Sequence, residues 1–99
     1  MNELFSDGSV SAEGAHRGTA KHGVWRYYHR NGRLKAEGAY DAGTLSGPWV
    51  WYRENGKLLQ RGTFVGGKQH GEWERFTAEG EPLDVRTFEH GRKTGSRAC

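Results

Sequence analysis

The sequence predicts an all-β protein, an elongated single-layer antiparallel β-meander built from 24-residue hairpin repeats. Three observations carry that expectation. Cut at Gly23, Gly47 and Gly71, the chain falls into GVWRYYHRNGRLKAEGAYDAGTLS, GPWVWYRENGKLLQRGTFVGGKQH and GEWERFTAEGEPLDVRTFEHGRKT, segments of equal length with no insertion or deletion. Each segment holds two short runs of strand-forming residues around a glycine turn signal. No stretch sustains a 3.6-residue apolar period of useful length, so helix is expected to be minor.

Several registers recur together along the three units. Tryptophans stand at Trp25, Trp49 and Trp73, and aromatics at Tyr28, Tyr52 and Phe76 and again at Tyr40, Phe64 and Phe88. Upstream, DGSVSAEGAHRGTAKH repeats the second half of the unit, with Gly8, Val10, Gly14 and His16 where Gly32, Leu34, Gly38 and Tyr40 stand later. The expected organisation is a degenerate N-terminal cap over 1–22, repeats over 23–46, 47–70 and 71–94, a fourth begun at Gly95, and a tail over 96–99.

Within the first full unit, Trp25 to Arg30 and Leu34 to Tyr40 flank Asn31-Gly32, a strong signal for a type I′ hairpin turn, which needs positive φ at both central residues. With those two as the turn, Arg30 faces Arg33, Tyr28 faces Lys35, Arg26 faces Glu37 and Trp25 faces Gly38. The same rule sets Arg75 against Asp84 and Trp49 against Gly62. A ring lying over its cross-strand glycine supplies the packing that glycine lacks, which accounts for Gly38 and Gly62 inside strands. The third unit breaks the pattern, with Arg86 in place of the glycine and Pro82 after the turn, and predicts a distorted hairpin near the C-terminal edge. Longer links such as Asp41 to Ser46 are expected to join one hairpin to the next.

Composition narrows the function classes. At 99 residues the chain has room for one domain and a modest core, which argues against an enzyme with a deep cleft. Charge is nearly balanced, 15 basic against 12 acidic, and 12% of residues are aromatic, so order comes from rings and glycine rather than aliphatics. Gly62 to Lys68 matches a phosphate loop as far as the lysine, but Gln69 replaces the hydroxyl residue that would hold magnesium and no helix pattern follows. His22 and His70 share a repeat position two units apart, about 19 Å at strand spacing, too far for one zinc with nitrogens at about 2 Å. Serine, histidine and aspartate show no triad spacing. No catalytic residue, cofactor or metal site is expected. The one cysteine, Cys99, excludes an internal disulfide. MNELFSDGSV carries an early acid and no apolar run of signal length, and no stretch reaches a membrane span, which predicts a soluble cytoplasmic protein.

The pattern G-x-W-x-x-Y-x-x-N-G-x-L followed by G-x-Y/F-x-x-G resembles the MORN repeat, and in particular the variant found in bacterial antitoxins of the YwqK-like type. The resemblance covers residues 23 to 95 well and 5 to 22 weakly. It implies an antitoxin or immunity role through protein binding, while the wider family is associated with membrane-lipid contact and scaffolding. The chain is short for that family and lacks the lipoprotein-type leader of some members.

Positions that recur in every unit most economically serve the shared fold, whereas positions that vary on the same face can encode partner choice. Two residues after each tryptophan stand Tyr27, Trp51 and Arg75, types enriched at binding hot spots. A single sheet has no second layer to cover both faces, so one face is expected to meet a partner or another copy. The expected partner-binding set is Tyr27, Trp51 and Arg75 with Trp25, Trp49 and Trp73. The expected partner is a toxin-like or other protein. Self-association through open sheet edges and contact with anionic lipid are the alternatives, and nucleic acid is disfavoured because Arg26 and Arg75 are neutralised across strands. The basic group Arg86, Arg92, Lys93 and Arg97 reads first as protection of the C-terminal edge.

Overall fold

A computed structural model describes residues 2–98, so Cys99 lies outside the described residues. Nine strands form one antiparallel sheet in strict chain order, with no helix among the described residues. They are β1 (Asn2–Leu4), β2 (Val10–Arg17), β3 (Ala20–Tyr28), β4 (Leu34–Asp41), β5 (Thr44–Tyr52), β6 (Leu58–Val65), β7 (Lys68–Phe76), β8 (Pro82–Glu89) and β9 (Arg92–Ala98). The sheet measures 41 by 31 by 16 Å, a single layer as expected. β1 gives the N-terminal cap a short first strand, and β9 runs through the expected tail, pairing with β8 as far as Ala98.

The hairpin turns are the reverse of those expected. At the Asn-Gly end, the His29 N–H donates to Arg33 O at 2.8 Å and the Gly32 N–H to His29 O at 2.9 Å, which encloses a three-residue loop, Arg30 to Gly32. Gly32 has φ 87° but Asn31 does not have positive φ, so this is a type I turn closed by a left-handed glycine, not type I′. Asparagine serves differently there: its Oδ1 accepts from the Arg33 N–H at 2.9 Å, and its Nδ2 donates to Glu54 O of the next unit at 2.8 Å. The type I′ turns sit at the other side of the sheet, where longer links were expected. Asp41 pairs directly with Thr44, Val65 with Lys68 and Glu89 with Arg92, around the positive-φ pairs Ala42-Gly43, Gly66-Gly67 and His90-Gly91.

The strand register of the hairpins nevertheless agrees with expectation over most of its length. The extra loop residue puts His29 rather than Arg30 opposite Arg33 and Leu34 rather than Lys35 opposite Tyr28. A bulge at Lys35 then absorbs one residue, which restores Tyr27 to Ala36, Arg26 to Glu37 and Trp25 to Gly38. Two offsetting irregularities thus leave the central pairs where a two-residue turn would put them. The third hairpin repeats this pattern with Trp73 opposite Arg86 and Phe76 opposite Pro82, so it is not distorted. Pro82 is the first residue of β8, a position where a missing N–H is tolerated.

The tryptophans cross the sheet in the direction opposite to the one predicted. An ideal Cβ at Gly14 would lie 2.4 Å from the Trp25 ring, one at Gly38 2.0 Å from Trp49, and one at Gly62 2.1 Å from Trp73. Each ring therefore covers the glycine of the preceding unit and not that of its own hairpin. Its indole N–H fixes that choice, donating to Ala15 O, Ala39 O and Thr63 O at 2.8, 3.1 and 3.2 Å. The regularity around Arg86 follows. A glycine is required only where a later tryptophan arrives, and the position one repeat beyond Trp73 is Arg97.

Candidate functional site

Alternation along the strands sorts the side chains onto two faces. The first carries Trp25 and Tyr27 on β3, Trp49 and Trp51 on β5, and Trp73 and Arg75 on β7. Sequence reasoning placed these six as a partner-binding set, and the folded sheet divides them. Trp25, Trp49 and Trp73 are 0, 4 and 1% exposed, so their rings form the core and offer no surface to a partner. Tyr27, Trp51 and Arg75 are half-buried.

Five rings run in one row across this face. Trp25 to Tyr27, Tyr27 to Trp49, Trp49 to Trp51 and Trp51 to Trp73 are 6.3, 6.2, 5.8 and 5.4 Å apart between centroids. Tyr40, Phe64 and Phe88 meet the tryptophans edge-on from the side. Such tilted and edge-to-face contacts add about 0.5 to 1.5 kcal/mol per pair beyond area burial. The row is how a one-layer sheet keeps a core: ring stacks on ring, with Ala12 and Ala36 buried beneath.

The three varying positions differ in what holds them. Tyr27 belongs to a polar cluster in which its hydroxyl lies 2.6 Å from that of Tyr40 and receives a hydrogen bond from Lys21 Nζ at 3.1 Å. Burial, then the bond to Tyr27, pushes the Tyr40 phenol above its ordinary range. Lys21 Nζ stands 4.7 Å from the Trp25 ring and pairs with Glu3 at 3.5 Å. Tyr40 was read from the sequence only as a recurring aromatic, and Lys21, on β3 with Trp25 and Tyr27, was not singled out. Trp51 lies between Trp49 and Trp73 in an apolar setting with Phe64. Arg75 is committed to Asp84, with Nε donating at 2.8 Å and Nη2 reaching the second oxygen, and that pairing holds the Asp84 carboxyl below its ordinary value.

The opposite face carries charge and a shallow groove. Arg26 Nε donates to Glu37 at 2.5 Å, the cross-strand pair expected from the register, and Arg61 pairs with Glu74 at 2.8 Å across the boundary between units. Tyr28, Tyr52 and Phe76 also lie on this side, with the Tyr28 hydroxyl donating to Glu13 at 2.5 Å and its pKa raised by that bond. At the C-terminal edge, Arg97 is engaged with Glu72 at 3.0 Å, whereas Arg86, opposite Trp73 on the tryptophan face, lies over Phe88.

The phosphate-loop match spans β6, a type I′ turn and the start of β7, and its Gly67 N–H is occupied by Leu45 O at 3.0 Å. No group of three metal-binding side chains occurs among the described residues; His22 Nδ1 accepts from the Ala42 N–H, and the His70 ring lies 5.8 Å from that of His90, tilted by 49°. Among the described residues no helix is long and apolar enough to cross a membrane.

Residues 21–42 and 45–65 match the family described as MORN repeat variant. These two stretches are similar to the MORN repeat variant. Each matched stretch covers one β-hairpin, β3–β4 and β5–β6. MORN repeats are generally protein- or membrane-binding modules. No curated protein matches the chain.

Proposed function

We propose that the chain is a non-enzymatic protein-binding MORN module with an antitoxin- or immunity-like role in the bacterial cytoplasm, and that it neutralises a toxin-like protein through the aromatic face. One observation carries the reading. The recurring tryptophans are buried, whereas the position two residues on varies as Tyr27, Trp51 and Arg75 and stays half-exposed on the same face. A position that only served the shared fold would repeat with the fold. Trp51 is the favoured anchor, because aromatic anchors beside well-packed neighbours dominate binding energy. Arg75 is a weaker candidate, since a partner would have to compete with Asp84.

The test is co-purification with a neighbouring toxin-like protein, followed by titration of wild type and Trp51→Ala. A loss of about 2 kcal/mol or more in affinity at Trp51 supports the reading, and unchanged affinity overturns it. Flotation with anionic vesicles covers the membrane alternative: salt-sensitive flotation would move the function to a lipid surface.

A further inference from the structure

The face away from the tryptophans carries a charge pattern that the repeat does not explain. Arg26, Val50 and Glu74 occupy one repeat position, and Glu37 and Arg61 another, yet their charges run positive, neutral, negative and negative, positive. Strand pairing sets these five in a single line across the sheet: Arg26 beside Glu37, Glu37 beside Val50, Val50 beside Arg61, and Arg61 beside Glu74. The line reads plus, minus, apolar, plus, minus. Over these five positions its reverse is the opposite sign at every charged site, with Val50 at the centre; the line runs on to Glu13 beside Arg26 and to Val85 beside Glu74, where the inversion stops.

We infer that this face pairs with the same face of a second copy about a two-fold axis running along β5 through Val50. The axis sends each strand to the strand equally far on the other side of β5. Arg26 then meets Glu74 of the second copy and Glu37 meets its Arg61, and the symmetric pair of contacts forms on the other side. Val50 meets Val50. Each intrachain ion pair is laid against the other, so two four-charge clusters of alternating sign flank an apolar centre. Had the second pair run in the opposite order, the face would repel itself.

The surroundings suit that occupant. A groove of about 620 Å³ lies along this line, with Val24, Pro48 and Val50 on its apolar part. The side chains of the four charged residues are 36 to 53% exposed, free to take a second contact without giving up the first. Glu72, which borders the groove and has no basic residue to face, is already held by Arg97 at 3.0 Å. A sheet 41 by 31 Å across has room for the roughly 800 Å² per partner of a standard interface, and aligned sheet-on-sheet packing is a common way for twisted sheets to cover each other. The pairing leaves Tyr27 and Trp51 outward on both copies, so it stands apart from the proposed partner face and presents that face twice.

The experiment is sedimentation velocity and light scattering of the full chain over a concentration series, with charge swaps that keep net charge and every intrachain pair. R26E/E37R places like charges opposite one another throughout the paired dimer, and so does R61E/E74R. Each should raise the dimer dissociation constant at least about tenfold. Mixed with each other, the two variants become complementary at all four contacts and should form the heterodimer, and the quadruple swap should again form a homodimer. Thermal melts of each variant confirm that the sheet is intact. A monomeric wild type at the highest concentration overturns the proposal. So does a dimer indifferent to the double swaps, which would indicate pairing through an open strand edge or the aromatic face, and so does failure of the mixture to associate.

Discussion

Gly62→Ala tests the direction in which the tryptophans lie. A methyl group at Gly62 would stand 2.1 Å from Cδ2 of Trp73, far inside a normal contact. Trp73 is 1% exposed and its indole N–H reaches Thr63 O at 3.2 Å, so the ring cannot swing away without giving up that bond. Overpacking costs about 1 to 3 kcal/mol and a stranded buried donor about 1 to 3 more, which sets the expected loss near 3 kcal/mol. For a domain of this size that is a fall in Tm of about 12 to 24 °C. Urea and thermal unfolding measure the loss, and a double-mutant cycle assigns it. In a Trp73→Ala background most of the penalty should vanish, a coupling of about 2 kcal/mol, while the cycle with Trp49→Ala should couple much less. Additivity with Trp73 and strong coupling with Trp49 would refute the argument and return the ring to its own hairpin.

The row of rings makes Trp49→Ala costly, about 3 to 5 kcal/mol, whereas Trp51→Ala, half-buried, should cost clearly less in paired melts. Ala42 holds φ 48° in a type I′ turn where the next unit has Gly66, so Ala42→Gly should stabilise by about 1 kcal/mol in urea unfolding and Gly66→Ala should destabilise by a similar amount. Because Asp84 has a folded pKa below its ordinary 3.8, its pairing with Arg75 is a stabilisation present in full above that value and lost as pH falls through the depressed one; Asp84→Asn should flatten this acid limb of Tm against pH.

Much of the architecture was legible because a fixed period constrains everything at once. Tryptophan and aromatic registers kept over three units leave a hairpin array as the economical solution, and the pairing of Arg26 with Glu37 and Arg75 with Asp84 followed from counting outward from a turn. The turn itself was misread, since Asn-Gly suits both a two-residue type I′ loop and the asparagine-glycine end of a three-residue loop. The backbone bonds between His29 and Arg33 and the absence of positive φ at Asn31 distinguish the two uses, and the bond from Asn31 to Glu54 of the next unit goes with the longer loop. The covering of glycine by tryptophan was read to the wrong side for a related reason. Gly38 pairs with Trp25 on one edge and Trp49 on the other, and composition is silent about which ring leans over it. Burial of Trp25, Trp49 and Trp73 was likewise hidden, because a lone sheet is expected to leave one face wet until its rings are seen to stack on one another. The pairing of Arg61 with Glu74 needed the strand contact between units, where a bulge shifts the register.

The rings overlap like roof tiles, each laid over the edge of the one before, and tiles have a direction. Stripping the array from its C-terminal end lifts away a tryptophan together with the strand that carries it and bares only a glycine backbone. Stripping from the N-terminal end removes the glycine strand from beneath a ring and leaves a whole indole standing in water. Loss of β1 and β2 would uncover Trp25, while loss of β9 uncovers no tryptophan at all. Fraying and proteolysis should therefore proceed from the C-terminal side. The same overlap sets the rule for lengthening: a whole unit can be added internally with every tile matched, but growth past the last hairpin needs glycine at Arg86 together with a tryptophan on β9, where Ser96 now stands opposite it.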